Sequence, residues 1–231
     1  MFNVNKIAFG ISEKKDGAMN LRLPILDERC AQNRKDYFSL NNISTDNIVL
    51  SGLVHGTKVL VVDEKDMGKV MLETDGLITN KKNIFLTVTN ADCIPIYFFD
   101  ETKEVVGISH AGWRGVVKNI SKALVEKMVS NFGTKPSDIS AYVGPHLQKC
   151  HFEVKEDVLS QFNEKFVIRN SGITTVDLLS MIKEQLLETG ITSQNITSSN
   201  ECTYCEKEKY FSYRRDRPEP VESMIAWIGM K

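Results

Sequence analysis

Histidine and cysteine are the side chains of this sequence best suited to bind a metal ion. The chain has four histidines and five cysteines. His55 and His110 stand where strands are expected to end in turns, and Cys93 lies in NADCIPI, just before a strand. Zinc favours imidazole nitrogen and thiolate sulfur, and a catalytic zinc site uses three protein ligands and one open position. We therefore predict that these three residues bind one divalent ion, zinc, with copper as a substitute.

Two other interpretations of these residues stay open, because their spacing matches no compact zinc-finger pattern. In the structural one, Cys93 is a buried core thiol, as free cysteines often are, and His110 is an ordinary loop histidine. In the catalytic one, Cys93 is a nucleophile, His110 is its base, and Asp92 or another carboxylate orients that base.

The segment HAGWRG at 110–115 precedes a predicted helix and favours anion binding. Backbone N–H groups at a helix N-terminus attract anions. Arg114 adds a planar charge suited to phosphate or carboxylate. The segment is interpreted as a phosphate clamp. The structural alternative is a turn with Trp113 packed in the core and Arg114 in an ion pair.

Two further pairs of cysteine and histidine residues are weaker candidates for a metal site. Cys202 and Cys205 have the spacing of a zinc or redox motif, but no second CxxC accompanies them, and we interpret the pair as incidental. Cys150 and His151 are adjacent, so on a strand they would point to opposite faces. Joint ligation by Cys150 and His151 is therefore not expected.

Other polar residues are candidates for substrate binding. Asn33 and Arg34 lie on an early predicted helix, Asp75 lies in TDGLIT, and Arg215 lies in FSYRRDR. The alternative for each is a solvated or purely structural side chain.

The composition predicts a soluble, cytoplasmic protein with a single domain spanning 1–231. Apolar residues make up 42% and charged residues 26% of the 231 residues, and the net charge is −1. This balance does not suggest a general nucleic-acid binder. The N-terminus lacks the features of a signal peptide, no apolar run is long enough to span a membrane, and the odd cysteine count argues against a disulfide framework.

Apolar patterns predict which elements position the candidate residues. Strands are expected at 6–11, 19–23, 48–56, 57–64, 83–89, 94–100, 105–109, 141–144, 211–215 and 224–230, with a turn and a short apolar stretch at 74–79. Helices are expected at 26–39, 116–132, 154–166 and 176–186, with Gly133 and Gly190 as terminators. Strands dominate early and helices late, which favours an α+β fold with a mixed or antiparallel sheet.

Segments spread over nearly the whole chain, in the expected order, closely resemble one family. They are QNR (32–34), VHGTKV (54–59), TDGLIT (74–79), NADCIPI (90–96), SHAGWRG (109–115), GPHLQKCHFEV (144–154) and FSYRRD (211–216). On these motifs the sequence is similar to the YfiH-like, or FAMIN-like, group, labelled purine nucleoside phosphorylase and formerly multicopper polyphenol oxidase laccase.

The resemblance implies a four-layer α/β/β/α sandwich with mixed sheets. It also implies zinc held by the residues that match His55, Cys93 and His110, and purine nucleosides and phosphate as substrates. The expected reactions are phosphorolysis of adenosine, inosine and methylthioadenosine, and deamination of adenosine. Phosphate would then be held by Arg114, with Arg34 and Arg215 as further candidates. Asp92 would move a proton during deamination or hydrogen-bond a ligand histidine.

Two segments depart from the family pattern. Leu53 replaces a glutamine often found two residues before the VHG histidine, and RPEPVES (217–223) replaces a Thr-Gly-Arg-like stretch. These departures concern the pocket lining more than the metal site. A laccase needs a blue-copper site and a three-copper cluster, which four histidines cannot supply, although one copper ion in a His₂Cys site could give weak oxidase activity. A non-catalytic binding module is the remaining alternative.

Overall fold

The computed structural model describes residues 6–21 and 27–231. Its strands are β1 (Ile7–Ile11), β2 (Ile48–Gly52), β3 (Val59–Val61), β4 (Val70–Leu72), β5 (Gly76–Thr79), β6 (Phe85–Asn90), β7 (Ile94–Asp100), β8 (Val105–Ala111), β9 (Ile139–Val143), β10 (Val167–Asn170), β11 (Ile173–Val176), β12 (Ile196–Ser198) and β13 (Met224–Met230). Its helices are α1 (Glu28–Leu40), α2 (Trp113–Val117), α3 (Ile120–Phe132), α4 (Glu156–Leu159), α5 (Leu178–Glu188) and α6 (Tyr213–Asp216).

Two mixed sheets form the centre of the molecule. The first has the order β1-β13-β6-β2-β4, and the second has the order β12-β9-β7-β8-β5-β3. Each contains parallel and antiparallel neighbours: β2 runs parallel to β6, which runs antiparallel to β13, and β3 runs parallel to β5, which runs antiparallel to β8. The strands β10 and β11 form a separate hairpin.

The two sheets pack face to face and carry helices on their outer faces. Leu86 of β6 and Ile108 of β8 belong to the apolar layer between the sheets. Phe38 of α1 packs with Trp227 on the outer face of the first sheet, and Leu124 of α3 belongs to the core on the outer side of the second. Because apolar layers cover both faces of the central strands, β7, β8 and β13 are buried along their whole length. The expected four-layer α/β/β/α sandwich is confirmed.

The helix predicted at 116–132 starts earlier and is interrupted. It begins as α2, and the chain then breaks at Asn119, whose φ of 61° is left-handed. The Asn119 side chain accepts a hydrogen bond from the backbone N–H of Lys122 and so caps α3. Gly133 ends α3 with a φ of 64°, as predicted for a left-handed cap.

Three predicted elements were wrong in whole or in part. Residues 19–21 form no strand, because β1 pairs with β13 instead; residues 22, 23 and 26 of the predicted elements lie outside the described residues. The segment 211–215 is not a strand but leads into α6, capped by the Ser212 hydroxyl. The helix predicted over 154–166 is reduced to α4 and a 3-10 turn, although its apolar residues Phe162 and Phe166 are buried as expected.

Within the described parts of the chain, every helix is too short or too polar to cross a bilayer.

Candidate metal centre

The topology brings His55 and Cys93 to the same end of the sandwich. Strands β2 and β6 are parallel neighbours in the first sheet, so their carboxyl ends lie at one edge. From that edge the segments that follow β2 and β6 both cross to the second sheet. The first passes through His55 toward β3, and the second passes through Cys93 into β7. His55 has a left-handed φ of 58°, and Asp92, beside Cys93, has a φ of 85°. Both connections therefore turn sharply at the candidate residues.

The register of the second sheet adds the third side chain. Strand β8 runs antiparallel to β7, with Ile94 opposite Ala111 and Pro95 opposite His110. His110 therefore lies beside the start of β7, next to Cys93. The ligand atoms of His55, Cys93 and His110 all lie within 4.8 Å of one another. The structure thus brings together the three residues predicted as metal ligands.

The three side chains differ in their exposure to solvent. His55 is exposed, Cys93 is half-buried and His110 is buried. The two imidazole rings meet edge to face with centroids 4.9 Å apart. The arrangement is therefore fixed on its inner side and accessible on its outer side, as a catalytic site requires.

Asp75 organises the inner side of the centre. Its carboxylate lies 3.2 Å from Nδ1 of His110 and accepts hydrogen bonds from the backbone N–H groups of His55 (2.9 Å) and Gly56 (2.8 Å). One buried carboxylate thus holds both the His110 ring and the loop that carries His55. With Nδ1 of His110 facing Asp75, Nε2 is left for a metal ion. The carboxylate against His110 is Asp75 rather than Asp92.

Cys93 and His110 form a strongly interacting pair. Burial raises the pKa of the Cys93 thiol, but the charge and hydrogen bonds of His110 and the contact with His55 outweigh it and lower that pKa to about 6. Burial lowers the pKa of His110, but Cys93 and Asp75 outweigh it and raise that pKa to about 9. In the metal-free protein at neutral pH, the pair is therefore a thiolate and an imidazolium.

Gly112 leaves the space that the centre needs. A Cβ atom built at this position would lie 2.7 Å from Cδ2 of His55 and 3.2 Å from Sγ of Cys93. The backbone of Gly112 is extended, with a φ of −66°. The glycine is therefore needed here for its small size rather than for its conformational freedom.

Asp92, the predicted proton-transfer residue, is held between two neighbouring segments. One carboxylate oxygen accepts a hydrogen bond from the hydroxyl of Thr203, and the other accepts one from the backbone N–H of Arg214, both at 2.6 Å. The carboxylate therefore fastens the segments around Thr203 and Arg214 to the turn that carries Cys93.

A cavity of about 510 Å³ adjoins the three candidate ligands. Its described lining consists of Asn20, Leu21, Leu53, His55, Thr89, Asn90, Ala91, Cys93, His110, Tyr213, Val221 and Ser223. A volume of this size is typical of small-molecule sites. Leu53 and Val221 belong to the two segments that depart from the family pattern, so both of these segments contribute side chains to the cavity wall.

Asn33 and Arg34, predicted to bind substrate, form hydrogen bonds to a segment that contributes to the cavity wall. The Asn33 amide donates a hydrogen bond to the carbonyl of Ala18 at 2.9 Å. The guanidinium of Arg34 donates to the carbonyls of Met19 and Asn20, both at 3.0 Å. Asn20 itself lines the cavity, so in this structure α1 positions a part of the wall.

Arg215 and Arg114, also predicted on the substrate side, have different surroundings. The Arg215 guanidinium donates to the carbonyls of Thr203, Tyr204 and Tyr210 and pairs with Asp216. Arg114 is exposed, and its guanidinium lies 4.3 Å from the ring centre of Trp113. Within the described residues, no carboxylate pairs with Arg114, so its charge remains available to an anion.

Sequence reasoning missed two polar atoms in the cavity wall. Among the described residues, Oδ1 of Asn90 and Oγ of Ser223 are buried and have no hydrogen-bond partner. Asn90 pairs with Met224, the residue that follows Ser223, and both Asn90 and Ser223 line the cavity. A buried polar atom without a partner is unusual and suits a ligand contact. Asn90 lies in the NADCIPI motif and Ser223 ends the RPEPVES segment, but neither residue was singled out as a substrate contact.

The family model described as multi-copper polyphenol oxidoreductase laccase matches residues 4–231. The chain belongs to this family. Among its relatives, the purine nucleoside phosphorylase YlmD of Bacillus subtilis is 31% identical over 96% of this chain and 85% of that protein. The adenosine deaminase RL5, from an unknown prokaryotic organism, is 34% identical over 75% of this chain and 71% of that protein.

Solved structures of this laccase-like family share the whole fold. The crystal structure of the hypothetical protein YfiH from Bacillus licheniformis matches with a TM-score of 0.91 and 27% identity, over 97% of this chain and 93% of that one. The four-layer arrangement and its mixed sheets are therefore those of the family.

Proposed function

We propose that this protein is a zinc-dependent purine nucleoside phosphorylase that also deaminates adenosine. The observation that carries the proposal is the convergence of His55, Cys93 and His110 at the mouth of a cavity of nucleoside size. Two relatives, named as a purine nucleoside phosphorylase and an adenosine deaminase, support the same substrate class.

The three residues fit a zinc ion by donor type and by surroundings. Two imidazoles and one thiolate are preferred zinc ligands. Asp75 holds the His110 ring through Nδ1, and Gly112 leaves room for His55 and Cys93 to meet. When bound here, zinc supplies Lewis-acid chemistry, polarising a substrate oxygen or activating water.

The remaining task of the protein is to place the substrates. In phosphorolysis, a phosphate oxygen forms a bond to C1′ of the ribose while the bond from C1′ to the purine breaks and the departing base takes up a proton. Oδ1 of Asn90 and Oγ of Ser223 can hydrogen-bond the nucleoside in the cavity. Arg114 offers phosphate a charge that no described carboxylate neutralises.

The proposal is tested by metal analysis combined with turnover. Purified protein is expected to carry zinc and to release hypoxanthine from inosine only when phosphate is present. With adenosine and no phosphate, it is expected to form inosine. Loss of both activities on chelation, with recovery on adding zinc but not magnesium, supports the proposal. Unchanged turnover in the fully metal-free protein would refute it.

The affinity of this centre for zinc is expected to rise with pH. A ligand histidine must be neutral and a ligand cysteine ionised. Because the pKa of Cys93 is about 6 and that of His110 about 9, His110 is the member of this pair that must lose a proton between these values. The zinc association constant should therefore rise about tenfold per pH unit between about pH 6.5 and 8.5. Chelator competition at several pH values measures this slope, and a flat profile would contradict the assigned protonation states.

Ser223→Ala is expected to weaken substrate binding without weakening the fold. The Ser223 hydroxyl has no partner among the described residues, so its removal costs little stability. Loss of one hydrogen bond to a nucleoside should raise KM about 3- to 10-fold. Ser121→Ala is the matched control, because the Ser121 hydroxyl is also buried and unpartnered in the described chain but lies on α3, outside the cavity lining. Equal KM values for the two variants would remove Ser223 from the substrate site.

A second candidate function is supported by the same three side chains and Asp75. Without metal, Cys93, His110 and Asp75 have the order of nucleophile, base and orienting carboxylate found in cysteine hydrolases. Alkylation separates the two candidates. A hydrolase would be inactivated through Cys93 as isolated, whereas in a zinc enzyme the ion would protect Cys93 until it is removed.

A further inference from the structure

A second cluster of metal-binding side chains lies outside the centre described above. It consists of Cys150, His151, Cys202 and Cys205, whose ligand atoms all lie within 4.8 Å of one another. The sequence suggested that the CxxC pair was incidental and that Cys150 and His151 would not ligate together. The structure places all four residues in one group, so the expected opposite orientation of Cys150 and His151 is wrong.

The local backbone explains why these residues meet. Cys150 and His151 lie in a turn rather than on a strand, with the His151 N–H donating to the carbonyl of Gln148 at 3.0 Å. Adjacent side chains in a turn need not point to opposite faces. A second turn, closed by the Glu206 N–H donating to the carbonyl of Cys202 at 2.9 Å, brings the two sulfurs of the CxxC pair to one side.

The distances between ligand atoms match the edges of a coordination tetrahedron. Zinc bonds of about 2.3 Å to sulfur and about 2.0 Å to nitrogen give edges of about 3.8 Å between two sulfurs and about 3.5 Å between sulfur and nitrogen. Sγ of Cys150 and Sγ of Cys205 are 3.9 Å apart. Nδ1 of His151 lies 3.2 Å from Sγ of Cys150 and 3.4 Å from Sγ of Cys205.

The surroundings hold these side chains in place. The His151 ring stacks on Tyr204, with centroids 3.9 Å apart and an interplanar angle of 15°. Sγ of Cys202 is buried and accepts the backbone N–H of Gln148 at 3.5 Å. The fixed ring keeps Nδ1 directed at the sulfurs, and an N–H donor to sulfur favours the thiolate that a metal ion requires.

We propose that Cys150, His151, Cys202 and Cys205 bind one structural zinc ion, separate from the centre at Cys93. Four protein ligands of the Cys₃His type close the coordination sphere, which is the mark of a structural rather than a catalytic zinc site. The ion would join the turn at 148–151 to the turn at 202–205. The second turn carries Thr203, whose hydroxyl donates to Asp92 beside Cys93. The proposed ion would therefore stabilise the turn that carries Cys93 through the contact between Thr203 and Asp92.

The experiment is zinc analysis of the full-length protein purified under reducing conditions. Wild type is expected to bind about two zinc ions per chain, one in each centre. Cys150→Ser and Cys205→Ser should each bind about one, and because both cysteines are exposed, these variants leave the core packing intact. Cys93→Ser should also bind about one, and Cys93→Ser combined with Cys150→Ser should bind almost none. Cys30→Ser, altered at a cysteine outside both clusters, is the control and should keep both ions.

Cobalt substitution identifies which centre is filled. In Cys93→Ser, the remaining cobalt should show the strong charge-transfer absorption of a site with three thiolates. In Cys150→Ser, it should show the weaker absorption of a site with one. A wild type with a single zinc ion, unchanged in Cys150→Ser, would overturn the proposal. So would a disulfide between Cys150 and Cys205 found by peptide mapping of the reduced preparation. Because the expected ion persists in Cys93→Ser, this result is independent of the proposed enzymatic function.

Discussion

Cys93→Ala is expected to abolish metal binding at the first centre and to lower both phosphorolysis and deamination by more than about 100-fold. Loss of an outer hydrogen-bonding partner alone typically costs a metal site 10- to 100-fold, and here a ligand itself is removed. The fold should survive, because Cys93 is half-buried and lies in a turn between two strands rather than in a packed layer. Turnover of inosine and adenosine, with zinc analysis and thermal unfolding, measures all three effects.

Cys30→Ala is the appropriate control for this variant. Cys30 is a buried free cysteine on α1, and its thiol lies 3.3 Å from Oδ1 of Asn20, away from the candidate ligands. The control should keep its zinc and lose some thermal stability, since a small cavity opens in a packed region. Because Asn20 lines the cavity, zinc content rather than turnover is the property that this control compares. If Cys93→Ala keeps full phosphorolysis while folded, the proposed function is wrong.

Gly112→Ala is expected to damage the same centre by size alone. The new methyl group would lie 2.7 Å from the His55 ring, closer than side-chain atoms approach in proteins, so the ring must move away from Cys93. We expect zinc affinity and turnover to fall by about 100-fold, as for a misplaced ligand. Stability should change little, because alanine adopts the φ of −66° found here without strain. Chelator competition and thermal unfolding of the same preparation separate the two effects.

Gly172→Ala gives the reciprocal control. Gly172 lies in the turn between β10 and β11 with a φ of 82°, and no atom lies within 4 Å of the position of a Cβ. Alanine there should cost about 1 kcal/mol of stability through backbone strain while zinc affinity and turnover stay unchanged. Unchanged zinc affinity in Gly112→Ala would mean that the crowding between Gly112 and His55 is relieved without moving the ligand.

The central strands were predictable because a strand buried on both faces needs apolar side chains along most of its length. The segments around β6, β7, β8 and β13 are mostly apolar and were assigned correctly. The short helix α6 was not predictable, since Phe211 is buried like a strand residue while the Ser212 cap that starts the helix leaves only a weak local signal. The interruption at Asn119 was not predictable for a similar reason, because one asparagine that caps α3 is a weak local signal within a helical apolar pattern.

The candidate ligand residues could be predicted from their side-chain chemistry, but the residues that hold them in position could not. Histidine and cysteine stand out in a sequence by chemistry, whereas the link from Asp75 to His110 depends on the pairing of β5 with β8, where Gly76 lies opposite Ser109. The hydrogen-bond partners of Asp92 could not be predicted for the same reason. Its hydroxyl partner, Thr203, is more than a hundred residues away in the chain and reaches it only through the folded structure.

The crossing of the chain from one sheet to the other at His55 and again at Cys93 has a mechanical consequence. An ion held by these two residues and His110 would cross-link two layers that otherwise meet mainly through non-directional apolar contact, together with a hydrogen bond from the Tyr97 hydroxyl of β7 to the Gly10 carbonyl of β1. Sliding one sheet over the other would then require the breaking of coordinate bonds as well as the displacement of packed side chains. The resistance of the sandwich to shear would then be set at the edge that carries the candidate metal centre.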